Sequence, residues 1–563
     1  MEELAGPKVI EASESGVWLL KNPNTNKGLA FTHEERERLR LGCMLPPRVC
    51  TIDEQVQLEV EHIRAKANDL EKYIGLASLQ DRNEVLFYRV LVENLIEFMP
   101  IVYTPTVAQA CAQFSHIFRT ARGLWITPDD MRRIPQMLRD APFRDIRLIV
   151  VTDNQRILGI GDQGCGGMGI PIGKLALYVA AAGIHPSKCL PISLDVGTDN
   201  PRLLEDPLYL GYRKRRLRGE EYDEFVEAFV QGVKKVFPRA LVQWEDFHNT
   251  QAFKILDHYR RQLLCFNDDI QGTGSCALAG VFSAMRLLNG NIRKQRIMYM
   301  GAGEACTGTA RRLVSALREA GADAREIREA QMMYDIHGLV RANRTPLEPY
   351  SEMFAATPES LARYGLPDEN IPPEKMIAAF KPTVLIGATA CQGLFRQEMI
   401  EEMAKHTDRP IIMPMSNPTA KAECTPAEAI TWTKGRAIVA TGSPFAPVDY
   451  KGRRHVIGQA NNVYVFPGIG LGAIISGMRE ITDDVFIVAA RTLSECVTQE
   501  RLESGALFPP QSELREVSRR IACAIVKYAS DNHLGRHMAD YDIEPAVRNA
   551  MWYPDYVPIV QKS

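Results

Sequence analysis

Long apolar runs, closely paired cysteines and an excess of charge of one sign are all missing from this sequence. No segment approaches about 18 uninterrupted apolar residues, so we expect no membrane span. The 12 cysteines form no C-x-x-C pair, which argues against a metal or disulfide framework and indicates reduced thiols. The formal net charge is −2, so bulk electrostatics favours neither nucleic acid nor an anionic membrane.

Length and composition indicate a multidomain globular protein. A chain of 563 residues is too long for one hydrophobic core, so about two to four domains are expected. Apolar residues make up 45% and charged residues 24%, which is the ordinary globular range. The acidic start, MEEL, lacks the basic and apolar stretches of a secretion signal. We therefore expect a cytoplasmic protein.

Hydrophobic periodicity divides the chain into regions. Up to residue 120, apolar positions recur at three- and four-residue spacing, which predicts a helical N-terminal domain, 1–120. Short apolar runs then alternate with helical patterns, which is typical of parallel sheets. The predicted fold is α/β and multidomain, with a parallel-sheet domain of 121–267 plus 463–535, a Rossmann-like domain of 268–462 and a tail of 536–563.

Individual elements follow from the same patterns. Thr51 and Asp53 are candidate N-caps for a helix at 54–63, and Lys174 begins a predicted helix that ends at Gly183. Asn154 marks a turn between two predicted strands. The predicted strands are 146–153, 156–160, 190–197, 296–300, 331–335, 384–387, 410–413 and 437–440, and the remaining predicted helices are 83–91, 305–317, 485–492 and 514–528.

Acidic side chains directly follow two short apolar runs. Glu245 and Asp246 come after LVQW, and Asp268 and Asp269 come after CFN, so each pair is predicted at the end of a strand. Solvated surface charge is the alternative interpretation for either pair. Apolar flanks count against it, because buried carboxylates need a partner and a cation is the simplest one.

Two glycine-rich segments could hold a dinucleotide. The segment 159–164, GIGDQG, matches G-x-G-x-x-G but follows a strand-turn-strand pattern, so we interpret it as a tight wall of the site. Gly301 and Gly303 instead follow a strand and precede a helix, although Cys306 replaces the third glycine. A later strand ends at Asp335, where a carboxylate can accept from a ribose hydroxyl, provided that a long loop intervenes around 321–323. A tight turn without a ligand is the alternative.

The segment 213–216, RKRR, is the main basic cluster of the chain. We interpret it as a solvated loop, with an anion site or a subunit contact as the alternative.

Six motifs that follow one another in order resemble the malic enzyme family, most of all its bacterial NAD-linked branch. The resemblance covers residues from about 20 to about 555. The motifs are VYTPTV (102–107), GDQG to GIPIGK (161–174), EDF (245–247), FNDDIQGT (266–273), MSNPT (415–419) and NNVYVFPG (461–468).

The resemblance implies oxidative decarboxylation of L-malate to pyruvate and CO2, with NAD or NADP and with Mg2+ or Mn2+. It makes the parallel-sheet domain the substrate and metal domain and the Rossmann-like domain the NAD-binding domain. A homodimer or homotetramer is also implied. The implied metal ligands are Glu245, Asp246 and Asp269; the catalytic residues are Tyr103 as acid, Lys174 as base and Asp268; the malate residues are Arg156, Asn417 and Asn462; and the dinucleotide residues are Arg156, Asp269, Gly301, Gly303, Asp335 and Asn417.

These residue types suit that chemistry. Removal of hydride from C2 of malate requires a base at the hydroxyl, and a partly desolvated lysine beside a divalent cation can be neutral at about pH 7. The enolate left after loss of CO2 needs a proton at C3, which a tyrosine hydroxyl can deliver. A bound divalent metal stabilises the enolate charge as a Lewis acid, and an arginine fork suits a carboxylate.

Dinucleotide choice and two rival functions stay open at the level of sequence. NAD is favoured because Asp335 would repel a 2′-phosphate and Ser351 stands where NADP-linked relatives have lysine, but Arg341 and Arg344 are near enough to replace it. A malolactic enzyme, which makes lactate without net redox change, would keep the same metal and base residues. A catalytically silent sensor of nucleotides or metabolites is the second rival.

Overall fold

Two β-sheets built largely of parallel strands organise the protein. The structure, a computed structural model, describes residues 4–157 and 159–562. The acidic start of the chain, on which the expectation about secretion rests, falls largely outside them. The strands are β1 (Ile10–Ala12), β2 (Leu124–Ile126), β3 (Leu148–Thr152), β4 (Cys189–Leu194), β5 (Leu241–Trp244), β6 (Cys265–Asn267), β7 (Ile297–Met300), β8 (Gln331–Asp335), β9 (Gly338–Leu339), β10 (Val384–Gly387), β11 (Ile411–Pro414), β12 (Ile438–Thr441), β13 (Val448–Tyr450), β14 (Arg453–His455), β15 (Gly458–Gln459) and β16 (Ile559–Gln561).

The first sheet has five strands in the order β2-β4-β3-β5-β6. Strand β3 pairs in parallel with β4 and β5, so that Leu148 lies opposite Cys189 and Leu241. Every residue of β3 and β5 is buried. These strands are nearly continuous apolar runs because helices cover both faces of a parallel sheet.

The second sheet has seven strands in the order β15-β12-β11-β10-β7-β8-β9. Strands β7, β8, β10, β11 and β12 are parallel, and β9 turns back antiparallel to β8 at the edge. The chain proceeds outward from β7 in both directions, first to β8 and later through β10 to β12. The carboxyl ends of β7 and β10 therefore meet at a topological switch point, where open α/β sheets bind their ligands.

Contacts group the chain into two compact units. The first comprises residues 1–247 and 538–563, and the second comprises residues 248–537. The helices of the first are α1 (Val17–Lys21), α2 (His33–Arg38), α3 (Ile52–Arg64), α4 (Asp69–Arg82), α5 (Glu84–Glu93), α6 (Leu95–Val102), α7 (Thr106–Ala112), α8 (Phe114–Ile117), α9 (Ile134–Arg139), α10 (Gly169–Leu177), α11 (Pro201–Glu205), α12 (Gly219–Val236) and α25 (Asp540–Ala550). Those of the second are α13 (Asn249–Tyr259), α14 (Thr273–Leu288), α15 (Glu304–Glu319), α16 (Ala324–Glu329), α17 (Pro358–Arg363), α18 (Pro373–Phe380), α19 (Gln397–His406), α20 (Pro426–Trp432), α21 (Phe466–Ser476), α22 (Asp483–Glu495), α23 (Gln499–Glu503) and α24 (Leu514–Asp531).

The predicted α/β fold class is confirmed, and so are most individual elements. The N-terminal helices pack on one apolar cluster that includes Val60, Leu79 and Phe98. Thr51 caps α3 in a capping box with Glu54, as predicted, whereas the other candidate cap lies in the first turn of the helix. The finer domain boundaries stay predictions.

The prediction of a strand at 156–160 is wrong. The described residues of this segment form a tight loop with a single isolated bridge between Ile157 and Gly161. Asn154 enters the left-handed region with φ 67°, and its carbonyl accepts from the N–H of Gln163 at 3.1 Å. The apolar residues of this segment gave a strand pattern, but the chain turns at Asn154 and forms a loop instead of a strand.

The predicted start of a helix at Lys174 is also wrong. Helix α10 begins at Gly169 after a 3-10 turn over Gly164–Met168, so Lys174 lies well inside it. A π-helical turn at Tyr178–Ala182 follows, and Gly183 ends the helix with φ 65°, as predicted. Glycines and Pro171 near the start disguised the helix, although proline is tolerated in a first turn.

The segment Gly164–Ala182 is long and apolar enough to cross a membrane by length and composition, and 94% of its 18-residue apolar window is buried in the protein. This burial is typical of a core helix.

The long loop assumed around 321–323 contains a further helix instead. Asp323 caps α16 in a capping box with Glu326, and α16 leads directly toward β8. The six residues of α16 are too few to show a clear apolar period.

Candidate active site

Three of the predicted carboxylates come together. One carboxylate oxygen each from Glu245, Asp246 and Asp269 lie within 4.8 Å of one another. Glu245 and Asp246 directly follow β5, and Asp269 comes two residues after the end of β6. Asp246 adopts φ 56°, a left-handed turn that ends the strand. Glu245 and Asp246 are only 1% and 6% exposed, so their buried negative charge needs a cation as a partner.

Lys174 lies against this cluster. Its side chain is fully buried, and its Nζ lies 2.9 Å from Oε1 of Glu245. The same ammonium lies 5.4 Å from the centre of the Tyr103 ring. Gly173 permits this approach, because a Cβ there would come within 2.8 Å of the Val102 carbonyl oxygen. The predicted base and acid are therefore adjacent in the first unit.

Asp268 and Asn462 form a second predicted pair. The Asn462 side-chain amide donates to Oδ2 of Asp268 at 2.5 Å. Asp268 is fully buried, and it opens the π-helical turn Asp268–Gly272 that leads into α14. Gly272 lies close by, since a Cβ there would overlap the Asp268 carboxylate.

Arg156 sits on the loop after β3, where its backbone N–H donates to the carbonyl of Asp246 at 3.1 Å. This bond ties the loop to the residues that follow β5. The Arg156 side chain is exposed.

Asn417 follows β11 and is oriented by its neighbours. The Ser443 hydroxyl donates to Oδ1 of Asn417 at 2.6 Å, which leaves the amide nitrogen facing elsewhere. Beside it, the buried Glu423 carboxylate accepts from the Ser416 hydroxyl and from the N–H of Thr389 at 2.8 Å. Glu423 thereby joins the loops after β10 and β11. The sequence carried no signal for Glu423, since its donors come from two distant segments.

The dinucleotide loop has the predicted architecture. Gly301 ends β7 with φ 118°, and its N–H donates to the Tyr334 carbonyl at 2.8 Å. A Cβ at Gly301 would crowd the Ala388 carbonyl oxygen at 3.1 Å. Gly303 is the N-cap of α15, so the backbone N–H groups of the first turn of this helix point toward the loop, and Asp335 ends β8.

The interpretation of 213–216 as a solvated loop is wrong for one residue. Arg216 is buried, and its guanidinium donates to Oδ1 of Asp162 at 3.0 Å and to the Asp153 carbonyl at 2.8 Å. Arg213, by contrast, is exposed. Arg216 therefore ties the glycine loop 159–164 to the residue that follows β3, because Asp162 lies within the loop and Asp153 directly follows the strand.

The sequence patterns did not single out two further buried residues near Glu245, namely Gln243 and Tyr178. Gln243 donates from Nε2 to Oε2 of Glu245 at 2.7 Å, and the Tyr178 hydroxyl donates to Gln243 Oε1. Spacing could have revealed both. Gln243 is two residues before Glu245 on a strand, and Tyr178 is four residues after Lys174 along the helical segment, so each pair shares a face.

Comparison with known proteins identifies the family. The description "Malic enzyme, NAD binding domain" matches residues 270–530, and "Malic enzyme, N-terminal domain" matches residues 80–260. The NAD-dependent malic enzyme of Aeromonas hydrophila is 44% identical over 542 residues, 96% of each chain. This chain belongs to the malic enzyme family. The NAD-dependent malic enzyme of Pseudomonas aeruginosa is 42% identical over 543 residues, again 96% of each chain.

Solved malic enzymes share the fold. The enzyme from Entamoeba histolytica matches with a TM-score of 0.56 and 25% identity over 81% of each chain. The enzyme from Pyrococcus horikoshii matches with a TM-score of 0.54 and 24% identity over 81% of this chain and 89% of its own. Membership of the family confirms the predicted resemblance. The roles of individual site residues stay predictions.

Proposed function

We propose that this protein catalyses the NAD-dependent oxidative decarboxylation of L-malate to pyruvate and CO2, with Mg2+ or Mn2+. Relatives 42–44% identical over nearly the whole chain are named NAD-dependent malic enzymes. The observation that carries the proposal is the buried contact between Lys174 and Glu245, in a cluster with Asp246 and Asp269. A buried lysine beside three carboxylates is costly to maintain without a function.

The cluster fits a divalent metal by the chemistry of its donors. Three carboxylates supply hard oxygen ligands and leave coordination positions for malate and water, as Mg2+ and Mn2+ prefer. Glu245, Asp246 and Asp269 would hold the ion. When bound, it supplies Lewis acidity to the malate hydroxyl and carbonyl oxygens.

The residues around the cluster divide the proton transfers. Lys174 would accept the proton of the malate hydroxyl when hydride is removed from C2, and Tyr103 would deliver a proton to C3 after CO2 is lost. The short distance of 5.4 Å between the Lys174 ammonium and the centre of the Tyr103 ring supports this division, because both groups would then reach one substrate. Asp268 and Asn462 would orient malate beside Lys174 and Tyr103. Arg156 and Asn417 would hold the malate carboxylates.

The dinucleotide loop fits NAD. Gly301, Gly303 and the first turn of α15 would face the pyrophosphate, and the Asp335 carboxylate would accept from the ribose. Both arginines that could serve NADP already hold carboxylates. Arg344 donates to Oδ1 of Asp335 at 2.8 Å, and Arg341 donates to Asp368 at 3.0 Å. This supports NAD, because a 2′-phosphate would have to displace these contacts.

An absorbance assay at about 340 nm tests the proposal, with L-malate, Mn2+ and NAD or NADP, and with a chelator as control. We expect NADH formation that the chelator abolishes. Asp269→Asn should lower the rate by at least about 100-fold, since metal binding contributes several kcal/mol to the transition state, while NADH still binds. Joint loss of turnover and NADH binding would instead give Asp269 a role in dinucleotide binding or in the fold.

The same assay separates the rivals. Lactate without net NADH would assign the malolactic reaction instead. No turnover of malate by the wild-type protein would support the silent sensor, and unchanged turnover in Lys174→Ala would place the base elsewhere.

We also propose a cytoplasmic homodimer or homotetramer that binds neither nucleic acid nor membranes. Its domains would be 1–120, 121–267 plus 463–535, and 268–462, with a tail at 536–563. The formal net charge of −2 supports the proposed lack of binding to nucleic acid and anionic membranes, and the burial of the segment Gly164–Ala182 supports a core helix rather than a membrane span.

A further inference from the structure

We propose that Tyr178 and Gln243 are positioning residues that fix the Glu245 carboxylate for metal binding. The Tyr178 hydroxyl donates to Gln243 Oε1, and Gln243 Nε2 donates to Oε2 of Glu245 at 2.7 Å. The other oxygen of Glu245 lies 2.9 Å from Lys174 Nζ. Neither residue is used by the chemistry of the proposed reaction. The inference rests on the proposed metal role of Glu245.

Burial makes this chain of hydrogen bonds costly to disturb. Tyr178, Gln243 and Lys174 are all fully buried, and Glu245 is 1% exposed. Water therefore offers little replacement for a lost partner, and a buried polar group without one costs about 1–3 kcal/mol. The side chains must keep the one arrangement in which each donor meets an acceptor.

The direction of donation follows from the chemistry of the groups. An ionised carboxylate accepts only, so Glu245 must face the amide nitrogen of Gln243 rather than its oxygen. Gln243 Oε1 then points to Tyr178, whose hydroxyl is a donor that fits it. A rotated Gln243 would place its oxygen against the Glu245 carboxylate. The Glu245 carboxylate thus fixes the orientation of the Gln243 amide, and the Tyr178 hydroxyl stabilises that orientation by donating to the amide oxygen.

The local structure brings these groups together. Gln243 and Glu245 project on the same side at the end of β5, because side chains alternate along a strand. Lys174 and Tyr178 are four residues apart, where α10 passes into its π-helical turn, and both reach Glu245, the latter through Gln243. One helical segment and one strand end therefore set the direction of both Glu245 oxygens.

The consequence is measurable as metal affinity. Residues that hydrogen-bond a metal ligand typically change affinity by about 10–100-fold when replaced. Tyr178→Phe removes only the hydroxyl and keeps the ring, and Gln243→Leu replaces the amide with an apolar side chain of similar volume. Titration of the full-length protein with Mn2+, followed by electron paramagnetic resonance, gives the dissociation constant without turnover. We expect it to rise about tenfold or more in both variants.

The chain offers a matched control. Tyr299 is also fully buried, and its hydroxyl donates to Gln331 Oε1 at 3.0 Å within the second sheet. Tyr299→Phe removes the same kind of bond, so Mn2+ affinity should stay at the wild-type value. NADH affinity, measured by fluorescence, should be unchanged in Tyr178→Phe, which a general loss of folding would not allow.

The outcomes are distinguishable. Wild-type Mn2+ affinity in Tyr178→Phe and Gln243→Leu, together with lost affinity in Glu245→Gln, would overturn the inference and leave the proposed function intact. Equal weakening in Tyr178→Phe and Tyr299→Phe would also overturn it. Wild-type affinity in Glu245→Gln would overturn the metal role of Glu245 itself.

Discussion

At the scale of single residues, the protein keeps its costly charges in pairs. Lys174 and Glu245 are both buried and lie 2.9 Å apart. Asp335 is paired with Arg344 in the dinucleotide region. Burial opposes ionisation of Asp335, but the hydrogen bonds from Arg344 and from the His337 N–H outweigh it and hold its pKa below the usual value. Asp335 is therefore a carboxylate at neutral pH, with an arginine fixed beside it.

Asp335→Ala should shift dinucleotide preference toward NADP. The change removes the charge that repels a 2′-phosphate and frees the Arg344 guanidinium to bind one. We expect the ratio of kcat/KM for NAD to kcat/KM for NADP to fall by about tenfold or more, equivalent to at least about 1.4 kcal/mol. Steady-state assays with both dinucleotides measure this ratio.

Asp408→Ala is the control, because Asp408 lies 3.8 Å from Arg436, an arginine that is not a candidate for binding the 2′-phosphate. It should leave the ratio unchanged. An unchanged ratio in Asp335→Ala would show that Arg344 does not reach the phosphate.

At the scale of elements, loops after strands carry most of the site, and buried side chains tie them down. The loop between β3 and α10 bears Arg156, and Arg216 fastens it through Asp153 and Asp162. Burial raises the pKa of Asp153, and Arg216 opposes that rise. Glu423 likewise holds the loops after β10 and β11 together, because its carboxylate accepts hydrogen bonds from both. Loops that are held by such buried hydrogen bonds keep the polar side chains of a binding site in a fixed arrangement.

Arg216→Met should destabilise the protein and weaken malate binding. The change leaves Asp153 and Asp162 without their buried cation, at a cost of about 3–5 kcal/mol. We expect a lower midpoint of thermal unfolding and a higher KM for malate, since the Arg156 loop is released, with little change in NADH affinity. Differential scanning fluorimetry and kinetics measure the two effects.

The neighbouring Arg215→Met serves as the control. Arg215 is 71% exposed on its side chain and lies 3.9 Å from Asp199, so its loss should cost less than about 1 kcal/mol. Equal midpoints for both variants would contradict the role given to Arg216.

At the scale of the whole molecule, segments distant in sequence close the first unit. Strand β1 pairs in parallel with β16, so residues near both ends of the chain share a two-stranded sheet. The His185 ring packs edge-on against Trp552, with ring centres 4.8 Å apart. Gly6 also lies against this ring, since a Cβ there would overlap it. Burial lowers the pKa of His185 to about 4, and Lys188 adds to the effect.

This histidine predicts a loss of stability in acid. The unfolded chain binds a proton at His185 near pH 6.5 and the folded protein only near pH 4, so stability falls as the pH drops through that window. Thermal unfolding midpoints should therefore decrease less between pH 7 and pH 5 in His185→Gln than in the wild type. His33→Gln, at an exposed position, should keep the wild-type slope. Identical slopes in all three proteins would contradict the prediction.

Much of the fold could be predicted because the signals are local. The strands Gln331–Asp335 and Val384–Gly387 have the predicted bounds, because each is a short apolar run, which is a local signal for a buried strand. The capping box at Thr51 and the glycine end of the helix at Gly183 were also readable. The strand predicted at 156–160 and the helix start at Lys174 were wrong. In both places a backbone turn, rather than side-chain periodicity, decides the conformation.

The features of the candidate site also divide into those that the sequence determines and those that packing determines. The sequence alone determined which residue types follow each strand: Glu245 and Asp246 after β5, Asp268 and Asp269 after β6, and Gly301 after β7. Only the tertiary structure decided which of them meet, and that Tyr178, Gln243 and Arg216 stand behind them. Spacing along a chain reports neighbours within a few residues, whereas these contacts join segments tens of residues apart, and packing alone brings them within hydrogen-bonding distance.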